Sequence, residues 1–277
     1  VVFTLIFVGV IGWLLVKGIK REIKQKEELE ILSNNLFEAN EKLKGLDKLK
    51  TEFLSLATHQ IRSPLTAIKG YTSMLLEGSF GKVDDEKKEP LERVLQTSNS
   101  LAIMVEDFLS DSKIESGGMK YMIEPFDFRK MVEDTYSDLK VTVEKKGLVM
   151  EFSSNETEPV MVSGDREKLR QVIINLTDNS IKYTPTGSIS IHVEVDNNKT
   201  IFSVKDTGVG VSPETKSTLF GKFSRGEGAK LNTTGSGLGL YLAKEIIKAH
   251  HGKVWLESEG LGKGTTFFVE LPIISKE

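Results

Sequence analysis

The stretch RQVIINLTDNSIKYT, residues 170–184, reads as a helix with two unlike borders. Leu169, Val172, Ile173 and Leu176 recur at helical spacing and make the apolar stripe that a helix turns toward a core. Asn175, Asn179 and Lys182 follow at i, i+4 and i+7 along the edge of that stripe, with Tyr183 beside them. Polar groups bordering a buried stripe suit a half-buried ligand. Amide oxygens are hard donors of the kind magnesium accepts, and magnesium keeps water and phosphate oxygens as its other ligands. A lysine suits a phosphate as a point charge. The plain alternative is a helix with ordinary polar edge residues.

Downstream, DTGVG at 206–210 closes a predicted strand. An acid followed by two glycines, Gly208 and Gly210, suits a tight turn that aims the Asp206 carboxylate at a ligand, though many turns look like this. GSGLGL at 235–240 opens a helix. Its glycines, Gly235, Gly237 and Gly239 with Leu238 between them, let backbone N–H groups approach phosphates, and a helix N-terminus favours anions. A dinucleotide fingerprint would need a strand immediately before the glycines and an acid about 20 residues on. Here an irregular, apolar-poor stretch at 221–234 precedes them, and it reads as a mobile lid. Before it, LFGKFSR at 219–225 offers Phe220 and Phe223 as anchors for that lid and Arg225 as a group able to reach a terminal phosphate. GKGT at 262–265 starts the last strand, with Thr265 a candidate hydrogen-bonding partner at the base end of a pocket.

Working outward, residues 119–277 alternate helices predicted at 128–146, 166–183 and 239–250 with strands at 149–153, 188–195, 200–204, 253–257 and 265–271. The strands fall mostly in adjacent pairs, which predicts a mixed, largely antiparallel sheet with helices on one face. Ser116-Gly117-Gly118 marks a boundary. Before it the pattern is wholly helical: one helix running from about 46 to 76, a break at GSFG (78–81), and a second helix at 84–115 with Leu91, Val94, Leu95, Ser98, Leu101, Val105 and Phe108 on one face. One hairpin has too little partner surface to cover such stripes, and two hairpins in a four-helix bundle would complete the core. Leu29, Leu32, Leu36, Ala39, Leu43 and Leu46 alternate spacings of three and four, a short heptad run that predicts a parallel coiled coil.

The first sixteen residues carry no charge, and Lys17, Lys20, Arg21, Lys24 and Lys26 follow. A bilayer needs roughly 20 apolar residues. The run is slightly short, and a membrane span cut by the start of the sequence at Val1 explains it. The lysines then place everything downstream in the cytoplasm. The chain of 277 residues is thus expected to be a piece of something longer. Its net charge of −3 supplies no basic field for nucleic acid. The absence of cysteine excludes disulfides, thiolate catalysis and cysteine metal sites. His59, His192, His250 and His251 show no paired ligand spacing with acids, so no structural zinc is expected.

On the first hairpin helix, Phe53, Ala57, Ile68, Tyr71 and Leu75 share an apolar face flanked by Leu56 and Ile61, while His59 lies opposite with Ser63, Thr66 and Gly70. A lone exposed histidine is ordinarily solvated surface. Pro64 alters that reading. It lacks an N–H and clashes with the Gln60 carbonyl, an arrangement that costs about 3 kcal/mol in a helix interior. A kink is expected there, giving another domain access to the imidazole. Neutral imidazole, with an unperturbed pKa of about 6.5, is a competent nucleophile toward a phosphoryl group.

Taken in order, FLSLATHQIRSPLTAIKGY, NLTDNSIKYT, DTGVG, FGKF and GSGLGL closely resemble a sensor histidine kinase of bacterial two-component systems, over about residues 46–272. The resemblance implies an α+β fold: a helical hairpin forming a dimeric four-helix bundle, followed by a two-layer α/β sandwich that binds ATP, of the type shared with gyrase. It implies segments at 1–16 (truncated transmembrane), 17–45 (basic stretch and coiled-coil connector), 46–118 (dimerisation and histidine phosphotransfer) and 119–277 (catalytic, ATP-binding). It implies His59 as phosphoacceptor, Asn179 with Asn175 as the magnesium pair, and Lys182 and Tyr183 as phosphate and nucleoside contacts. Asp206 would read the adenine amino group, with Gly208 and Gly210 shaping the pocket. Gly235, Gly237 and Gly239 would lie near the phosphates, and Arg225 on the γ-phosphate. The implied cofactors are ATP and Mg2+. The implied partners are a second copy, the receiver domain of a separate response regulator, and the cytoplasmic membrane through the N-terminal segment.

Two positions depart from the family pattern. The residue after the histidine is usually Glu or Asp and here is Gln60, which can hold the imidazole tautomer but brings no charge. Ser63 stands where members with phosphatase activity usually carry Thr or Asn. Its hydroxyl can still position water, so weak to moderate phosphatase activity is expected. Two other readings stay open at this level: an ATP-binding scaffold without phosphotransfer, to which Gln60 alone points, and an ATPase or serine kinase of the same nucleotide fold.

Overall fold

Residues 2 to 76 form one helix, α1 (Val2–Leu76), and a second, α2, spans Asp85–Glu115. The computed structural model describes residues 2–224 and 236–274, and the side chains of residues 1–11 and 14–16 lie outside that description. The chain divides into two units, residues 1–53 and 54–277.

In the first unit, Leu29, Leu32, Leu36, Leu43 and Leu46 are each more than half exposed, so one chain leaves the heptad stripe uncovered. Lys24–Glu28 and Lys48–Glu52 pairs at i, i+4 flank it. Among the described residues no helix is long and apolar enough to cross a membrane. Most of the charge-free run at 1–16, expected as a span, falls outside the described side chains.

The second unit opens with the hairpin. α1 ends at Leu76, and Gly78 takes the left-handed conformation (φ 83) that commonly terminates a helix. Asp85 and Glu86 in the first turn of α2 complement its N-terminal dipole. α1 runs unbroken through Pro64, leaving the Gln60 carbonyl without its usual i+4 donor. The packing face of α1 differs from the expected one. Thr58, Leu65 and Thr72 are buried, seven residues apart, whereas Ile68 is 45% and Tyr71 63% exposed. Two helices bury only one narrow stripe of each. The wider apolar faces, with Leu56 and Ile61 on α1 and Val94, Leu101 and Phe108 on α2, remain open in a single chain. An Arg62–Glu106 ion pair crosses the hairpin.

After the hairpin come β1 (Glu124–Asp127), α3 (Phe128–Lys145), β2 (Val149–Ser154), β3 (Met161–Gly164) and α4 (Arg166–Lys182). Then follow β4 (Ser188–Asp196), β5 (Lys199–Asp206), the single turn α5 (Pro213–Lys216), α6 (Gly239–Ala249), β6 (Lys253–Glu257) and β7 (Thr266–Pro272). The main sheet has the order β2-β4-β5-β7-β6; β2 and β4 are parallel and every other pair is antiparallel. The expected mixed sheet is therefore present, with strand ends within a residue or two of those read from sequence. β1 and β3, which the sequence pattern did not disclose, pair with each other antiparallel. Each has only four residues, too short for alternation to register.

Burial alternates along the strands as a one-sided sheet requires. Ile189, Ile191 and Val193 of β4, Phe202 and Val204 of β5, and Phe267, Val269 and Leu271 of β7 point inward. They meet Leu169, Val172, Ile173 and Leu176 of α4 and Ala243, Ile246 and Ile247 of α6. Asp127 and Asp165 cap α3 and α4 by accepting from the N–H groups of Lys130 and Lys168. His250 ends α6 but is buried, with a structural task. The Asp165 N–H donates to Nε2 at 2.9 Å, which leaves the proton on Nδ1 to donate to the Ile246 carbonyl at 2.7 Å. The imidazole thereby ties the start of α4 to the end of α6.

The loops after β5 and before β7 interlock. The Asp206 N–H donates to Thr265 O, the Gly262 N–H to Val209 O and the Gly264 N–H to Gly208 O. Gly264 holds φ +74, and a Cβ there would fall 2.0 Å from the Asp206 carbonyl oxygen. Gly264→Ala is expected to destabilise the domain by roughly 3 kcal/mol, from left-handed backbone strain plus a backbone clash. A chemical-denaturation midpoint unchanged from wild type would refute this.

Candidate active site

A cavity of about 530 Å³ opens between α4, the β5 and β7 ends, the start of α6 and one face of α2. At one end Asp206 is 3% exposed, and its Oδ1 accepts the N–H groups of Gly208 (2.9 Å) and Thr265 (3.1 Å). Burial pushes this carboxyl above the usual carboxylate range, while the Gly208 N–H, the Ser180 hydroxyl and the Thr265 N–H act against that. A buried carboxylate whose Oδ1 is occupied from behind presents its second oxygen as an acceptor for an amino group. Gly208 is required here by close approach, since a Cβ would sit 2.2 Å from the Tyr183 carbonyl oxygen. Val209, Val211, Leu219, Leu240 and Phe267 form apolar walls that suit a flat ring.

The other end is polar. Asn175, Asn179, Lys182 and Tyr183 all line the cavity. The Asn179 amide donates to Asn175 Oδ1 at 3.5 Å. A Cβ on Gly239 would lie 2.7 Å from Asn175 Oδ1, so only glycine leaves that oxygen room. Asp178, overlooked in the sequence, also lines the cavity. Burial raises its carboxyl, with the charges of Lys182 and Lys146 opposing. Gly237 and Gly239 border this end where α6 begins.

Of the residues singled out from sequence, Asn175, Asn179, Lys182, Tyr183, Asp206, Gly210, Gly237, Gly239 and Thr265 converge on the one cavity. Leu238 does not line it; its side chain is 2% exposed and belongs to the interior. Arg225 and Gly235, with most of the expected lid, lie outside the described residues. Phe220 packs against the core, whereas Phe223 is 62% exposed with φ 57; the lid that both were expected to anchor lies mostly outside the described residues. His59, Gln60 and Ser63 are exposed on α1, and the described cavity lining does not include them. The wall supplied by α2, including Gln96, Asn99, Met104 and Asp107, has no signature in sequence because it depends on how the hairpin folds back.

Residues 49–117 match the His Kinase A (phospho-acceptor) domain, and residues 164–275 match the histidine kinase-, DNA gyrase B- and HSP90-like ATPase. The chain belongs to the sensor histidine kinases. The sensor protein SrrB of Staphylococcus aureus is 32% identical over 230 residues, 82% of this chain and 39% of its own. The circadian input-output histidine kinase CikA of Synechococcus elongatus is 30% identical over 258 residues, 89% of this chain and 34% of its own. This kinase sequence thus spans little more than a third of the length of the curated relatives it matches. Among solved structures, histidine kinase ThkA in complex with response regulator protein TrrA superposes with a TM-score of 0.56 at 25% identity, over 80% of this chain and 61% of that one. The α+β architecture of the kinase, helical hairpin followed by an ATPase sheet, is the one expected from sequence.

Proposed function

We propose that this chain is the kinase core of a sensor histidine kinase: it autophosphorylates His59 from ATP and passes the phosphoryl group to an aspartate of a separate response regulator. The observation that carries this reading is the cavity itself, where a buried carboxylate at one end and Asn175, Asn179 and Lys182 at the other match the two ends of a nucleotide. Asp206 would accept the adenine amino group, Tyr183 and Lys182 would contact nucleoside and phosphates, and the Gly237–Gly239 turn would present N–H groups to the phosphates. Arg225 and Gly235 would complete the phosphate end.

Magnesium fits the donor set. Among the described residues no group of three His, Cys, Asp or Glu side chains could hold a metal. An ion here would rest on the Asn175 and Asn179 amide oxygens together with phosphate and water oxygens. When bound, it would neutralise charge on the transferring phosphoryl group.

The transfer is in-line. A neutral His59 nitrogen attacks the γ-phosphorus, the bond to the β–γ bridging oxygen breaks, and ADP leaves. The imidazolium formed then loses its remaining ring proton. The protein's work is positioning and charge stabilisation. Gln60 can accept a hydrogen bond from that ring N–H but adds no negative charge. Gln60→Glu is expected to raise the single-turnover autophosphorylation rate by roughly 10-fold, an acid–base contribution of ordinary size; an unchanged rate would remove Gln60 from the mechanism. The Ser63 hydroxyl supports a weaker reverse role, positioning water against the phosphorylated partner.

Supporting the dimer, the exposed apolar faces of α1 and α2 require cover, and a second hairpin supplies matching surface. The ThkA–TrrA complex supports a receiver domain as partner class. The charge-free run at 1–16, followed by lysines, supports anchoring in the cytoplasmic membrane with the connector at 17–45, the hairpin at 46–118 and the ATP-binding domain at 119–277 on the cytoplasmic side. No feature favours nucleic acid.

Incubation with γ-labelled ATP and magnesium tests the reading. Acid-labile, alkali-stable label is expected. Absence of label would favour a binding scaffold, and acid-stable label a serine kinase of the same fold.

A further inference from the structure

Three acidic residues of α2, Asp107, Asp111 and Glu115, recur at i, i+4 and i+8 and so lie along one stripe of the helix. All three are engaged by the ATP-binding domain. Lys222 reaches Asp111 and Glu115 at 2.6 Å each, and its ammonium lies 4.8 Å from the Tyr241 ring centroid on α6. Asp111 is 6% exposed, so this is not a solvated surface pair. Burial works against the charge on Lys222, yet the two carboxylates outweigh it and lift its pKa above the ordinary lysine range. One turn earlier, Asp107 accepts the Ser236 hydroxyl at 2.7 Å. Ser236 in turn takes the Leu238 N–H, directly before α6 begins at Gly239.

Asp107 therefore sits at the polar end of the cavity, and the charge of Lys182 acts on it. Burial nevertheless pushes its carboxyl up. Lys182 and the turn at Ser236–Gly239 are the groups to which the phosphates of a nucleotide are assigned above. A carboxylate and a polyphosphate cannot both occupy them, because like charges at close range in a half-buried site repel strongly.

We propose that Asp107, Asp111 and Glu115 form an autoinhibitory latch, with Asp107 standing in for phosphate, which a nucleoside triphosphate must displace to bind. The latch holds the ATP-binding domain on α2, an arrangement in which His59 lies outside the cavity. Displacing Asp107 removes its bond to Ser236 and leaves the Lys222 clasp, so nucleotide entry loosens the domain from α2. The same helix carries Glu106, which pairs with Arg62 three residues beyond His59.

This inference rests on the nucleotide reading of the cavity, and its test separates the two. Wild-type protein is first titrated with ATP; no binding would defeat the nucleotide reading by itself. Hydrogen exchange is then measured without nucleotide, over residues 104–115 and 236–241, in wild type, in Asp111→Asn with Glu115→Gln, and in Lys222→Met. Faster exchange in both segments is expected for the variants, with ATP affinity raised about tenfold, since apparent affinity scales with the fraction of molecules already competent to bind. Asp107→Asn is expected to tighten ATP in the same direction. Unchanged exchange would overturn the latch, as would faster exchange with unchanged affinity. An Asp107→Asn variant that binds ATP more weakly would also overturn it, because Asp107 would then serve the nucleotide.

Discussion

Replacing His59 with glutamine is expected to abolish acid-labile phosphorylation while leaving fold and ATP affinity intact. His59 is exposed on α1 and lines no part of the described cavity. Glutamine is a straight-chain residue with good helix propensity, so the helix loses little. What disappears is the only ring nitrogen that the hairpin offers beside Pro64. The assay is paired: γ-phosphoryl labelling against ATP in one arm, nucleotide titration in the other. Label falling to background with unchanged affinity is the expected pair of results. Label persisting at the wild-type level would remove His59 from the mechanism.

Asp206→Asn is expected to weaken ATP binding about 100-fold, close to 3 kcal/mol. Asparagine keeps a carbonyl oxygen able to accept the Gly208 and Thr265 N–H groups, so the interlocked loops survive. Its other substituent is then an NH₂ donor facing the adenine amino group, two donors opposed in a site walled by Val209, Leu219 and Phe267. Buried, mismatched polar groups are costly because water cannot repair them. GTP, which carries an acceptor at the corresponding ring position, is expected to lose its disadvantage against ATP in this variant. Unchanged ATP affinity with a normal melting profile would take base recognition away from Asp206.

Much of this was legible residue by residue. α4 announced itself because its apolar period and its polar border are both local. β4, β5, β6 and β7 alternate clearly enough to be bounded within a residue or two. The residues proposed for phosphate and base lie in short motifs whose chemistry is carried by the residue types themselves. Where the sequence reading went astray, the deciding partner was distant. The apolar face assigned to α1 is not the one turned to α2, since a periodicity gives the width of a stripe and not which neighbour covers it.

By itself, then, the sequence determined the longer helices, the alternation of β4, β5, β6 and β7, and which residue types would suit base, phosphate and phosphoryl acceptor, because each follows from spacing within one helix, strand or turn. Only the tertiary structure decided that Gly264 and Asp206 lock two loops together, that His250 bridges α4 and α6, and that α2 walls the cavity and sets Asp107 against Ser236 and near Lys182. The Asp206–Thr265, Asp165–His250 and Asp107–Ser236 hydrogen bonds join residues 59 to 129 positions apart in the chain. No local pattern encodes a distance of that kind, which is set by how the helices and the sheet pack.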